Sequence, residues 1–228
     1  MKTSSFLKNL VKGAAILSVA VLVTSCKKND VDSSGSANVK VVNASPTSPN
    51  QGFYLANNAV VTGGLAFANA SAYISTNSGN NLVTEFRSDG SSTAFATGKS
   101  DFKNGSSYTV FLAGDGQSAR VKVYEDDRSA PVSGQAKVRF VHLSDAAPAN
   151  IDIRRASGEN LAANLGRDVA TNFATIAPGI LSLQVYGAGQ STSLGNFDLT
   201  ALVANKIYTV YITGSTANSI SVRQITQE

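Results

Sequence analysis

A single cysteine, Cys26, occurs in 228 residues, so no intramolecular disulfide can form and folding rests on apolar burial. There is one histidine, His142, and no tryptophan. One imidazole and one thiol cannot assemble a zinc ligand set, and no metal or other cofactor is expected. Charged residues are 15% of the chain and hydrophobic ones 43%, a globular composition and not a disordered one. Setting aside Lys2, Lys8 and Lys12 as part of an N-terminal targeting segment leaves 16 basic residues against 15 acidic. That balance excludes a nucleic-acid partner argued from bulk charge. No G-x-S-x-G elbow, P-loop or dinucleotide fingerprint occurs. Past the N-terminal segment, no stretch keeps a 3.6-residue apolar period over three turns, so no long helix is expected.

What is present starts with a targeting signal. Met1–Lys12 is polar, with three lysines and no acid, and Gly13–Val23 is an eleven-residue apolar run. Eleven residues are too few to cross a hydrocarbon layer of roughly 30 Å. A basic start, a short apolar core and small residues at Thr24 and Ser25 describe a secretory signal over residues 1–25. Val23-Thr24-Ser25-Cys26 resembles the lipobox of bacterial lipoproteins. The resemblance implies cleavage between Ser25 and Cys26, lipid on the Cys26 sulfur and a further acyl chain on its new amino group. Several acyl chains meet the physical need for more than one lipid signal in stable anchoring. The implied partner is a membrane, reached through the anchor. No aspartate directly follows Cys26, which in the enteric pattern implies the outer membrane, on its periplasmic or its surface face. Residues 26–36, polar and holding Asp30 and Asp32, are expected to form a flexible tether.

The rest is one unit written twice. Asn38–Pro46, NVKVVNASP, is echoed by Ala136–Pro148, AKVRFVHLSDAAP. Tyr108–Gly114, YTVFLAG, is echoed one hundred positions later by Tyr208–Gly214, YTVYITG. The spacing predicts two domains, 37–127 and 136–228, joined by a linker at 128–135. Short runs of Val, Phe, Tyr and Thr between Asn, Gly, Ser and Asp clusters predict about seven strands in each. In the first domain these include Ala72–Ser75 and Leu82–Arg87, with a turn at Asn77–Asn80 between them. Tyr108, Val110 and Leu112 alternate with polar or small residues, so one face of that strand is core, with Phe111 breaking the pattern.

VRFVHLSDAAPANIDI, then Phe173 and Pro178-Gly179, then YTVYITG, resemble the DUF4397 family of bacterial exported proteins, often found as tandem copies. The resemblance implies a β-sandwich and an exported setting, with two copies of which the second is the clearer, and no defined activity. The fold class is therefore all-β, two tandem antiparallel sandwiches. Alternation fixes faces and not strand order, so immunoglobulin-like and transthyretin-like topologies both stay open.

Few residues suggest chemistry. His142 faces Asn43 in the repeat, and an amide cannot be a general base, so a hydrogen bond to loop backbone is expected there. Asp145 and Asp152 flank a loop but lack the spacing of a calcium site, and read as solvated turn residues. Arg154 and Arg155 read as one inward-leaning and one exposed strand residue, or as a rim pair. Tyr186 and Tyr211 have outward parity, so they either form a small stacking surface or pack on the neighbouring domain. The loop Ser144–Asn150, with Ser144, Asp145, Pro148 and Asn150, is the candidate for recognition because its proline lowers the ordering cost of binding. The expected function is a non-enzymatic binding or adhesion module at the cell envelope, with an envelope protein or a glycan as partner. A structural component of an envelope complex is the alternative, and a hydrolase would need a polar cleft around His142.

Overall fold

The computed structural model describes residues 30–215 and 220–228. Its first half contains β1 (Asp30–Asn43), β2 (Gln51–Leu55), β3 (Asn58–Leu65), β4 (Ile74–Ser88), β5 (Ala94–Phe102), β6 (Ser107–Ala113) and β7 (Arg120–Glu125). The second contains β8 (Ala136–His142), β9 (Asn150–Arg155), β10 (Asn160–Gly166), β11 (Ala174–Ile176), β12 (Ser182–Gly187), β13 (Ser193–Asp198), β14 (Ile207–Thr213) and β15 (Ser221–Thr226).

Each half is a two-sheet sandwich wound in the same order. In the second, β11-β8-β14-β15 faces β10-β9-β12-β13. In the first, β4-β1-β6-β7 faces β3-β2-β4-β5, with β4 belonging to both sheets. Lettered A to H along the chain, both sandwiches read D-A-G-H on C-B-E-F, with A parallel to G. An immunoglobulin sandwich joins A-B-E-D and C-F-G. The order here is the transthyretin-like one, which resolves the topology that alternation leaves open.

The halves differ where D meets E. In the first, both are one 15-residue strand, β4, pairing with β1 through Ile74–Asn80 and with β2 through Thr84–Ser88. It bends at Gly79 (φ +154) and Asn81 (φ +54), so the turn expected at Asn77–Asn80 is a kink inside a continuous strand. In the second, Pro178 has no N–H to give a ladder, and the chain breaks into β11 and β12.

Three further differences from the sequence reading have physical causes. Asp30–Ser36, expected in the tether, is the start of β1, paired to Asn77–Asn80. Its polar side chains need only a backbone ladder to be ordered, and β4 supplies one. The strands β3, NAVVTGGL, and β10, NLAANLG, were not anticipated, since their small and amide residues blur the period-2 signal. Finally, β6, β8 and β14 are buried along their whole length, on both faces.

Two-face burial has one cause. Val39 and Val41 of β1 and Tyr108, Val110 and Leu112 of β6 fill the first sandwich core. Val138 and Phe140 of β8 and Tyr208, Val210 and Ile212 of β14 fill the second. The residues between them, with opposite parity, are Val42, Phe111 and Ala113 in one half and Val141 and Tyr211 in the other. They form a third apolar cluster in which the two D-A-G-H sheets pack face to face. The molecule is thus four sheets deep. Parallel strands covered on both faces read as near-continuous apolar runs, as YTVFLA and YTVYIT do.

Candidate functional site

The seam between the sandwiches is apolar in its middle and polar at both ends. At the end where β6 and β14 begin, Arg139 is 2% exposed and pairs with the buried Asp126. Its Nε donates to Thr209 Oγ1 at 2.9 Å, and its Nη1 to the Glu125 carbonyl at 2.9 Å. Thr109 donates to Asp126 at 2.9 Å, and Gln227 Nε2 donates to both Thr109 (3.1 Å) and Thr209 (2.6 Å). The Tyr73 hydroxyl donates to Asp126 at 2.7 Å. Burial works against the Arg139 charge, and the Asp126 carboxylate works to keep it. No buried side-chain nitrogen or oxygen of these residues lacks a hydrogen-bond partner, the condition under which a buried ion pair is tolerated.

A second latch lies at the opposite end. Arg120 of β7 holds Asp168 (2.9 Å) and Asp145 (2.9 Å) of the other sandwich, and Lys122 reaches Asp168 at 3.1 Å. Arg167 donates to the Ser144 carbonyl (3.0 Å) and the Ala147 carbonyl (2.9 Å). The loop Ser144–Asn150 is therefore largely committed. Ser144 and Ala147 are buried and Asp145 is ion-paired, while Pro148, Ala149 and Asn150 remain exposed. Asn150 donates to Asn164 at 2.7 Å.

His142 is wholly buried beneath this loop. Its Nε2 donates to the Pro148 carbonyl at 2.9 Å and its Nδ1 accepts from the Ser144 N–H at 3.3 Å, which specifies the Nε2–H tautomer. Burial holds its pKa below the ordinary value. Asn43 does the same work in the first half, donating to the Leu65 carbonyl and accepting from the Ser45 N–H. An imidazole with both nitrogens bound to backbone and no access to solvent does not activate a nucleophile.

The other residues singled out lie apart. Asp152 accepts from the N–H groups of Asn164 (2.8 Å) and Gly189 (3.1 Å). It also pairs with Arg154, whose guanidinium lies 4.3 Å from the Tyr186 ring. Arg155 pairs with Glu159 at 2.7 Å. Tyr211 is wholly buried against Phe111, so it and Tyr186 share no stacking surface. Among the described residues no group of three or more His, Cys, Asp or Glu is placed to hold a metal ion. Ser25 and Cys26 lie outside the described residues.

What the seam leaves open is a cleft of about 520 Å³ where β7 of one sandwich meets the segment before β11 of the other. Tyr124, Glu125, Asp127, Arg139, Asn172 and Phe173 are among the residues lining it. Phe173 sits beside two cations, Arg139 at 4.8 Å and Lys137 at 5.4 Å. The Tyr124 hydroxyl is buried in the wall without a hydrogen-bond partner, and burial raises its pKa, so it keeps its proton. The repeat makes a counterpart of about 360 Å³ lined by Lys40, Ala70, Ser71, Gln224, Ile225 and Thr226. There Ile225 stands for Tyr124, and Tyr73, the match of Phe173, is drawn to Asp126. Of these two clefts, only the first combines aromatic walls with side chains of both charges. Sequence parity could not find it, because its walls come from both halves.

These features define an all-β protein of two transthyretin-like sandwiches packed through an apolar seam with polar ends. Residues 37–154 match the family described as Domain of unknown function (DUF4397), and the chain belongs to that family. The matched stretch takes in the first sandwich from Ala37 onward and β8 and most of β9 of the second, so its bounds differ from those of the internal repeat. No curated protein sequence matches the chain. Among solved structures it is similar to the family 26 carbohydrate-binding module CBMbc from Eubacterium rectale in complex with maltoheptaose. That likeness has 13% identity, covers 82% of this chain and 95% of that one, and has a TM-score of 0.27. A candidate cell adhesion protein from Bacteroides uniformis is 11% identical over 86% of this chain and 98% of its own, with a TM-score of 0.25. Another from Bacteroides eggerthii is 10% identical over 84% and 95%, with a TM-score of 0.23.

Proposed function

We propose that this chain is an exported, lipid-anchored protein of the cell envelope, placed in the outer membrane, that binds an envelope protein or a glycan without catalysing a reaction. The two sandwiches act in it as tandem copies of one domain. The observation that carries the reading is the cleft at the seam. It is open, and Phe173 and Tyr124 line it together with Asp127, Arg139 and Asn172. Clefts between domains, apolar in part and with a few placed polar groups, are where folds of this kind take ligands. The exposed tip Pro148–Asn150 adds a second, smaller contact surface. The sequestered His142 argues against a hydrolase. Anchoring is supported by Cys26, the only cysteine, standing at the end of the apolar run.

The test compares the wild type with Phe173→Ala and Asn172→Ala on glycan arrays and on detergent-solubilised envelope fractions. Binding should fall about tenfold or more while circular dichroism stays unchanged, since aromatic anchors dominate such contacts. Unaltered binding by both variants would exclude the cleft. Turnover of an ester or glycoside substrate that His142→Asn abolishes would exclude the non-enzymatic reading. Stable co-purification of one envelope protein, independent of the cleft variants, would favour a structural component instead.

A further inference from the structure

We infer that the end of the molecule where β1 enters is a lipid-contacting tip that seats both sandwiches on the membrane surface. The inference rests on the anchored reading above and adds to it an orientation and a set of contacts.

Four of the six large apolar side chains that the described residues expose lie at this end: Val31, Val132, Ile180 and Val203. Ile180, Val132 and Val203 are 73%, 63% and 55% exposed. They come from three loops tied together by backbone. Gly179 and Leu202 exchange hydrogen bonds at 2.8 Å, Asn205 N donates to the Gln135 carbonyl at 2.7 Å, and Gln135 N to the Val132 carbonyl at 2.9 Å. The three loops are therefore neighbours, tied to one another at their backbones. Val31 lies on the other sandwich, near the start of β1. Both sandwiches point the same way, since Thr109 and Thr209, early in β6 and β14, share Gln227. Both sets of loops thus face one side.

The chain says what lies on that side. Only Lys27, Lys28 and Asn29 separate Cys26 from Asp30, where β1 begins. Four residue steps reach at most about 14 Å in any conformation. A headgroup layer is about 5–8 Å deep, so a lipidated Cys26 keeps this end at the bilayer surface. Isolated Val and Ile side chains, costly to leave in water, gain by entering that boundary. Two cations at this end are ion-paired, Lys206 with Glu228 and Lys137 with Asp127 at 2.9 Å.

The experiment uses the full chain in cells, with benzoylphenylalanine in place of Ile180, of Val203 or, as the opposite-end control, of Leu194. Irradiated cells are scored for phospholipid attached to the protein, and a parallel culture for palmitate-analogue label on Cys26. Lipid adducts should be several-fold higher at 180 and 203 than at 194. Equal yields at all three positions overturn the tip, as does a discrete protein adduct at 180 and 203 in place of lipid. Label on Cys26 without lipid adducts removes the tip and leaves the anchor. Lipid adducts without label remove the anchor and leave the tip, and loss of both removes both.

Discussion

Phe111 and Tyr211 occupy the same place in the two copies of the repeat and meet each other across the seam, ring centroids 5.3 Å apart. Each has the parity of a solvent-facing strand residue, and each is wholly buried because the other covers it. The contact makes the two sandwiches one packed body. Truncating Tyr211 to Ala should cost about 3–5 kcal/mol, the usual range for a large buried aromatic. Tyr211→Phe should be neutral or stabilising by up to about 1 kcal/mol, since the Tyr211 hydroxyl is buried without a partner. Urea melts measure both; a Tyr211→Phe loss as large as that of Tyr211→Ala would show that the hydroxyl has a partner.

Arg139 and Asp126 form a buried pair whose partners are all internal. Arg139→Met should cost about 3–5 kcal/mol, because it strands a carboxylate out of water. Combining it with Asp126→Leu should recover most of that loss. A double-variant cycle with no coupling would remove the pair from the account.

His142 supplies a pH dependence with a definite sign. Burial, aided by the charges of Arg167 and Arg120 and opposed by the Pro148 carbonyl and Asp168, holds the folded imidazole below its ordinary pKa. The unfolded chain takes up a proton near pH 6.5 while the folded one does not. Stability from this group is therefore full above about pH 6.5 and is lost as the pH falls from there toward the lowered folded value. His142→Asn, the residue the other copy carries, should keep the fold and flatten that slope between pH 8 and pH 5 in urea melts. An unchanged slope would assign the dependence to other groups.

How much of this could be read from sequence depends on where the partner of each residue lies. Within one sandwich, alternation was informative: Tyr108, Val110 and Leu112, and their matches Tyr208, Val210 and Ile212, are core as expected. His142 was legible as a loop brace because Asn43 stands in its place in the twin. The seam was not legible, since Thr109, Arg139 and Asp126 look like surface residues until the second sandwich is laid on them. Arg154 and Arg155, read as one inward-leaning and one exposed residue or as a rim pair, are both half-buried and each is paired to a nearby acid. Strands such as β10, with Ala163 and Asn164 turned to solvent, carry too little apolar signal to be seen without their ladder.

The repeated phrase ends in a glycine for a geometric reason. Gly114 has φ +70, and a Cβ there would lie 2.3 Å from the Ser118 carbonyl oxygen, whereas Gly105, at φ +78, has open space around it. Gly105→Ala should cost about 1–2 kcal/mol, from backbone conformation alone. Gly114→Ala should cost clearly more, because backbone must also move. Equal losses in thermal melts would show that the Ser118 turn yields freely.

The central claim is that the seam makes one unit of two sandwiches, since the cleft exists only while they stay together. Differential scanning calorimetry of the purified protein tests it most directly. One transition is expected, with calorimetric and van't Hoff enthalpies equal, and Arg139→Met should shift it as a whole. Two separable transitions, one of them unmoved by Arg139→Met, would contradict the account.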